Sequence, residues 1–303
     1  MYFSHLKYFQ AIAVGSEDIA IGMNSIGAIY SQYNGARSGE HWHRLTGVPG
    51  KGNPKYIDCA ADGTIGALSA NGNIYLYDGG PYKSDGDWHA IEVDLDGNTI
   101  SSMSIGGINN IVILTNEGPV YRYYANGVSE KIYTQTVKPP YYSQAYLVGT
   151  ATDGTTVARF SVIEGTGKQD IHQYFGPAGW ANITPGEHYD ILSLSPSDAN
   201  TIYFAVGEQG LYKAIGNGVV QSVPINVALY LEEAFKYERG TLDGKVIYVN
   251  AGTDNRVGIV IEEKGKRYCY LSTPAPAYGH LMPEMDVPEN RFIPGGNGHK
   301  KVD

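Results

Sequence analysis

Gly27-Ala28-Ile29-Tyr30, Gly72-Asn73-Ile74-Tyr75, Gly118-Pro119-Val120-Tyr121 and Gly210-Leu211-Tyr212 are one phrase written four times. The intervals between them are 45, 46 and 92 residues, so the last gap hides one further copy. Asp170-Ile171-His172-Gln173-Tyr174 fills it, and Arg256-Val257-Gly258-Ile259-Val260 supplies a sixth. The tryptophans keep the same beat: Trp42, Trp88 and Trp180 are 46 and 92 residues apart, and each opens a short apolar segment. A period of this length marks a repeat architecture, in which no unit buries its apolar surface without a neighbour.

Two further strands fit between these markers. One set is small, apolar and glycine-rich, as strands crowded around an axis must be: Ala11–Gly15, Ile57–Asp62, Ile100–Gly106, Ala145–Thr150, Ile191–Pro196 and Ala234–Gly240. The second set is Ile19–Met23, Thr64–Ser69, Asn110–Thr115, Thr155–Ser161, Thr201–Val206 and Lys245–Ala251. Asp62-Gly63 and Asp153-Gly154 are hairpin turns between the two sets. The outermost strands are Trp42–Gly47, Trp88–Val93, Lys131–Val137, Trp180–Gly186, Val219–Ile225 and Lys266–Thr273. Four antiparallel strands per repeat and six repeats predict an all-β, six-bladed β-propeller over residues 1–273. Competing architectures are a ring of five or seven blades and an open solenoid. Met1–Lys7 is expected to close the ring beside the last blade, and 274–303, rich in Pro and Gly, to form a tail over one face.

Composition agrees. The chain has 39 glycines, and its 25 tyrosines far outnumber its 7 phenylalanines, a mixture suited to many short strands and tight turns. A net charge of −9 speaks against a nucleic-acid or anionic-membrane surface. There is no apolar run long enough to span a membrane. Met1–Val14 lacks the layout of a secretory signal, so a cytoplasmic protein or a secreted mature form is expected. Cys59 and Cys269 read as free and buried, and Asn182-Ile183-Thr184 is a glycosylation sequon.

The rhythm Trp-x-x-Ile, apolar strand, Asp-Gly-Thr, Asn-Gly-x-Ile-Tyr, clearest over Trp42–Tyr77 and Trp88–Tyr123, resembles the tectonin and tachylectin type of β-propeller lectin. That resemblance implies binding of sugars or lipopolysaccharide by loops, without metals or catalysis. It rests on framework positions, which carry packing and turns, and so speaks to fold more than to function. The polar residues differ from blade to blade, which points to one asymmetric site instead of six equivalent ones. A weaker analogy, of fold and not of motif, is to the fungal hetero-Diels–Alderases of tropolone sesquiterpenoid biosynthesis.

Loops leading from an outer strand into the next inner strand share a face with those joining second and third strands. On that face lie Tyr56, Tyr141, Tyr142, His188, Tyr189, Tyr230 and Glu232, with Tyr237, Glu238 and Arg239 expected on the sixth inner strand. Aromatic rims with a few ionisable groups are the usual make-up of a small-molecule pocket. The expected function is therefore lectin-like binding of a small organic or glycan ligand. The alternatives are a cofactor-free cyclase using His188, Arg239 and Tyr141, and a protein-interaction scaffold. No cofactor is called for: His41-Trp42-His43 lacks a third ligand, and Asp94-Leu95-Asp96-Gly97 reads as a turn and not as half a calcium loop.

Overall fold

The computed structural model describes residues 2–6, 9–16, 18–32, 42–134, 143–162, 169–184, 190–215, 219–227, 240–241 and 244–273. They form six sheets, antiparallel but for one parallel pair in the sixth, the blades of a six-bladed propeller. Blade one runs Phe9–Val14, Ala20–Asn24, Ile29–Gln32 and His43–Arg44 from the axis outward. Blade two is Tyr56–Cys59, Ile65–Leu68, Ile74–Tyr77 and Trp88–Ala90, and blade three is Ile100–Gly107, Asn110–Thr115, Val120–Tyr123 and Ser129–Tyr133. Blade four is Ser143–Thr150, Thr156–Val162, Gln169–Tyr174 and Trp180–Asn182. Blade five is Ser193–Asp198, Thr201–Ala205, Leu211–Ile215 and Val219–Ser222.

Blade six departs from the expected register. Its innermost strand is Lys245–Ala251, followed by Val257–Glu263, Lys266–Thr273 and then Tyr2–Leu6 from the other end of the chain. Tyr2 pairs with Thr273 and Leu6 with Cys269, antiparallel, so the N-terminal strand closes the ring as anticipated. The strands expected as second, third and fourth of this blade therefore each stand one place further inward. The axial seat expected for Ala234–Gly240 is held by Lys245–Ala251; residues 234–239 lie outside the described residues, and Gly240–Thr241 is the outermost strand of the sheet, beyond Asn226–Val227, which pairs parallel with Tyr2–Phe3. The physical reason lies in the two sequences. Val246-Ile247-Tyr248-Val249 suits a crowded pleated surface, whereas Lys236, Glu238 and Arg239 would bring three charges to the tightest part of the ring.

The cores show why no blade is stable by itself. Six clusters of buried apolar side chains lie among the described residues, and each straddles two neighbouring blades. The last cluster to be closed joins Leu6, Val260 and Leu271 of blade six to Ile12, Ala20 and Tyr30 of blade one. The periodic tryptophans are inter-blade clamps. The Trp88 indole N–H donates to the Thr46 carbonyl of blade one at 2.8 Å, and that of Trp180 to the Ile132 carbonyl of blade three at 2.8 Å. Near the axis a Cβ on Gly106 would overlap the Ala151 carbonyl oxygen, so only glycine lets blades three and four approach so closely.

Candidate functional site

Polar side chains on the inner strands weld neighbouring blades together. The edge of each first strand would leave backbone N–H groups without partners at the axis, and side chains of the adjoining blade accept from them. Asp58 Oδ2 accepts from the Ile105 N–H at 2.7 Å, and the Ser104 hydroxyl accepts from the Thr150 N–H at 3.0 Å. Ser195 accepts from the Ala251 N–H at 2.9 Å, and Asn250 Oδ1 from the Val14 N–H at 2.6 Å. Two bonds skip a blade. Asn250 Nδ2 of blade six donates to Asp58 Oδ1 of blade two at 3.0 Å, and the Ala61 N–H donates to Thr152 Oγ1 of blade four at 3.4 Å. Groups two blades apart are thus in contact, which narrows the channel to a floor.

Beyond that floor the inner strands leave a cavity of about 320 Å³. Every blade contributes to its wall, through Gln10 and Ala11, Tyr56 to Asp58, Ser101 to Ser104, Tyr146 to Val148, Leu192 to Ser195 and Ile247 to Asn250. Depth follows strand direction. Gln10, Lys55, Tyr56, Tyr146 and Arg267 are exposed at the mouth, whereas Asp58, Ser195 and Asn250 are buried. The mouth lies at the ends where the inner strands begin, the face served by the outer-to-inner loops. Three of the large apolar side chains that remain exposed, Tyr56, Tyr146 and Leu192, stand around it. The Arg159 guanidinium sits 5.3 Å from the centre of the Tyr146 ring and donates to the Ile191 carbonyl, which fixes that part of the rim.

Asp58 is the chemical centre of the floor. Burial raises its carboxyl to about 6, against the opposing pull of hydrogen bonds from the Ile105 and Cys59 N–H groups, Asn250 and Ser104. Tyr248, which also lines the cavity, has its phenol pushed up by burial and by the Asp58 charge. Both groups are therefore held toward their protonated, hydrogen-bond-donating forms. Among the described residues no three His, Cys, Asp or Glu side chains come together as metal ligands would.

Of the site residues expected from sequence, Tyr56 lines the cavity. Tyr141, Tyr142, His188, Tyr189, Tyr230, Glu232, Tyr237, Glu238 and Arg239 lie outside the described residues. Leu192, shortly after Tyr189, stands at the mouth, and the strand that starts at Ser143 carries Tyr146 into it. Asn226–Val227 and Gly240–Thr241 belong to the outer edge of blade six. Sequence reasoning missed Asp58, Tyr146, Tyr248, Asn250 and Arg267. A usable signal existed: Asp58 and Asn250 are the polar interruptions in otherwise apolar inner strands. Asp94-Leu95-Asp96-Gly97 is a turn, with Asp96 at φ 52° bonded to the Tyr121 hydroxyl and paired with Lys131. His43 is exposed, and Cys59 and Cys269 are free and buried.

No protein-family model matches this chain, and no curated protein sequence does. Solved structures do. YCF48 bound to a D1 peptide aligns with a TM-score of 0.52 at 14% identity, over 88% of this chain and 79% of the other. A putative gluconolactonase aligns at 0.55 with 9% identity, over 90% and 92% of the two chains. A gluconolactonase from Xanthomonas campestris aligns at 0.54 with 11% identity, over 88% of each chain. The likeness is one of fold. At these identities it transfers no chemistry.

Proposed function

We propose that this protein binds one small organic molecule per chain in the axial cavity. One observation carries the reading: six inner strands with the same backbone role present six different sets of side chains to a single cavity. A framework that only had to close could repeat its axial residues, and here asymmetry is concentrated where a ligand would sit. The volume is at the small end of the range for ligand pockets, about 300–1,000 Å³, which suits a single sugar ring or similar molecule and not an oligosaccharide. Hydroxyl-bearing ligands fit a wall with Ser101, Ser102 and Tyr248 and a floor at Asp58. A sugar-sized ligand of this kind is also what the lectin-like resemblance implies, and the axial cavity is the site proposed for it.

Saturation-transfer NMR with glucose, N-acetylglucosamine and small hydroxylated aromatics tests the reading. Ser102→Trp, which fills the cavity, is expected to abolish any signal while leaving the thermal transition cooperative. Binding that survives Ser102→Trp would place the ligand elsewhere and refute the axial site. A scaffold of the kind that binds a peptide, as the YCF48 in the similar structure does, would give no small-molecule signal at all. Product formation from a bound candidate would instead favour the cyclase alternative.

A further inference from the structure

The charge at the axis is distributed against the charge of the molecule. The chain has 31 Asp and Glu against 22 Lys and Arg, yet the cavity wall carries Lys55 and Arg267 against the single carboxylate of Asp58. That carboxylate is buried at the floor and already receives four hydrogen bonds. Lys55 and Arg267 are exposed at the mouth, and among the described residues neither has an ion-pair partner. They come from blades two and six, on either side of blade one, which lends only Gln10 and Ala11 to the wall between them. Asp190, an acidic group on the same face, is engaged with Arg159.

The far end of the axis is ringed by acids. The turns between first and second strands ring the channel there, and five of the six carry an aspartate: Asp18, Asp62, Asp153, Asp198 and Asp254. The mouth face carries acids too, at the turns between second and third strands: Glu208 is paired with Lys245, Glu263 with Lys264, and Glu262 stands across the strand pair from Arg267. At the cavity wall itself the two cations outnumber the one carboxylate, and low-dielectric walls focus their field.

We propose that the axial cavity takes a small organic anion, its acidic group held at the mouth between Lys55 and Arg267 and its ring against Tyr56 and Tyr146. This rests on the axial binding reading and adds the chemical class of the ligand. Lysine and arginine offer eight N–H donors between them and no acceptor, so a charged, acceptor-only carboxylate is bound more strongly than a hydroxyl. The exposed faces of the two tyrosines supply the apolar flank that an inorganic anion would waste.

Shape-matched pairs test it: glucuronate against glucose, and 4-hydroxybenzoate against 4-hydroxybenzyl alcohol, by saturation-transfer titration at low salt. At least one acid is expected to bind ten-fold or more tighter than its neutral partner, and to weaken several-fold in 0.5 M NaCl. Lys55→Gln and Arg267→Gln, both exposed and safe for folding, should each cut that preference several-fold, and the double substitution should remove it. Equal affinity for acid and neutral partner, with Ser102→Trp still abolishing both, would overturn the anion while leaving the axial site standing. An acid preference untouched by the double substitution overturns the assignment to these two residues. Absence of binding by all four probes overturns both readings together.

Discussion

Asp58→Asn is the substitution that most directly interrogates the axis. In the unfolded chain Asp58 titrates as an ordinary carboxyl near 4, whereas burial holds it at about 6 in the folded ring. Folding therefore takes up a proton between those values, so stability is fully present below pH 4 and falls as pH rises through 6. A difference of about two units corresponds to roughly 3 kcal/mol, the cost of carrying an ionised Asp58 at pH 7. Asparagine abolishes that cost, but its amide nitrogen cannot accept from the Ile105 N–H now bonded at 2.7 Å. Losing a buried acceptor costs about 1–3 kcal/mol at every pH. The variant should be less stable than the parent by that amount at pH 4, and equal or slightly more stable at pH 7. Urea unfolding of both proteins at half-unit steps from pH 4 to 8 measures this, because other titrations cancel in the difference. The curve of parent minus variant should fall by about 3 kcal/mol and flatten above pH 7. A flat curve, or one that rises with pH, would show that the four donors outweigh burial and that the carboxylate is stabilised as an anion.

Deleting residues 2–6 removes the strand that pairs with 269–273 and on which Asn226–Val227 also depends. At about 1 kcal/mol for each of some five ladder bonds, and 2–4 °C per kcal/mol, the melting temperature should drop by about 10–20 °C, read by circular dichroism. Trp88→Phe leaves the Thr46 carbonyl without its indole donor and should cost about 1–3 kcal/mol in urea, with the fold retained. Cys59 is buried with its thiol pushed well up, and Cys269 is raised to about 12, so neither should react with an aromatic disulfide at pH 8 until urea unfolds the chain, when two thiols appear.

The ring was readable because each framework residue performs one repeated mechanical task. Trp88 and Trp180 recur at the common period since each must reach the outer strand of the preceding blade. The glycine before the third strand recurs in blades one, two, three and five since a tight turn needs a positive φ, as at Gly27, Gly72, Gly118 and Gly210. Blade six differs by one strand because counting Ala234–Gly240 as its first leaves Met1–Lys7 as an addition beside four strands, when Tyr2–Leu6 is itself the fourth. Taking Lys245–Ala251 as a second strand hid Tyr248 and Asn250 from the axis. Most of the site was illegible for a different reason: a ligand wall is assembled from one or two residues of every blade, and no sequence period links residues chosen to differ.

The axial polar groups answer two demands that pull against each other. Closing the ring requires acceptors at the inner edges, and Asp58, Ser104, Ser195 and Asn250 provide them. A neutral set of serines would suffice for that, as the bonds from Thr150 to Ser104 and from Ala251 to Ser195 demonstrate. An aspartate at one of these positions brings a desolvation cost of about 3 kcal/mol at neutral pH that a serine would avoid. Its place among the cavity-lining residues, at the end remote from Lys55 and Arg267, gives that cost a use. A carboxyl held near neutrality can donate to a ligand as an acid and accept from one as an anion, while the two cations hold the opposite end. Asp58→Asn should therefore weaken an axial ligand even under conditions where it leaves the fold as stable as the parent. If affinity follows stability across the pH series instead, Asp58 is a structural group alone.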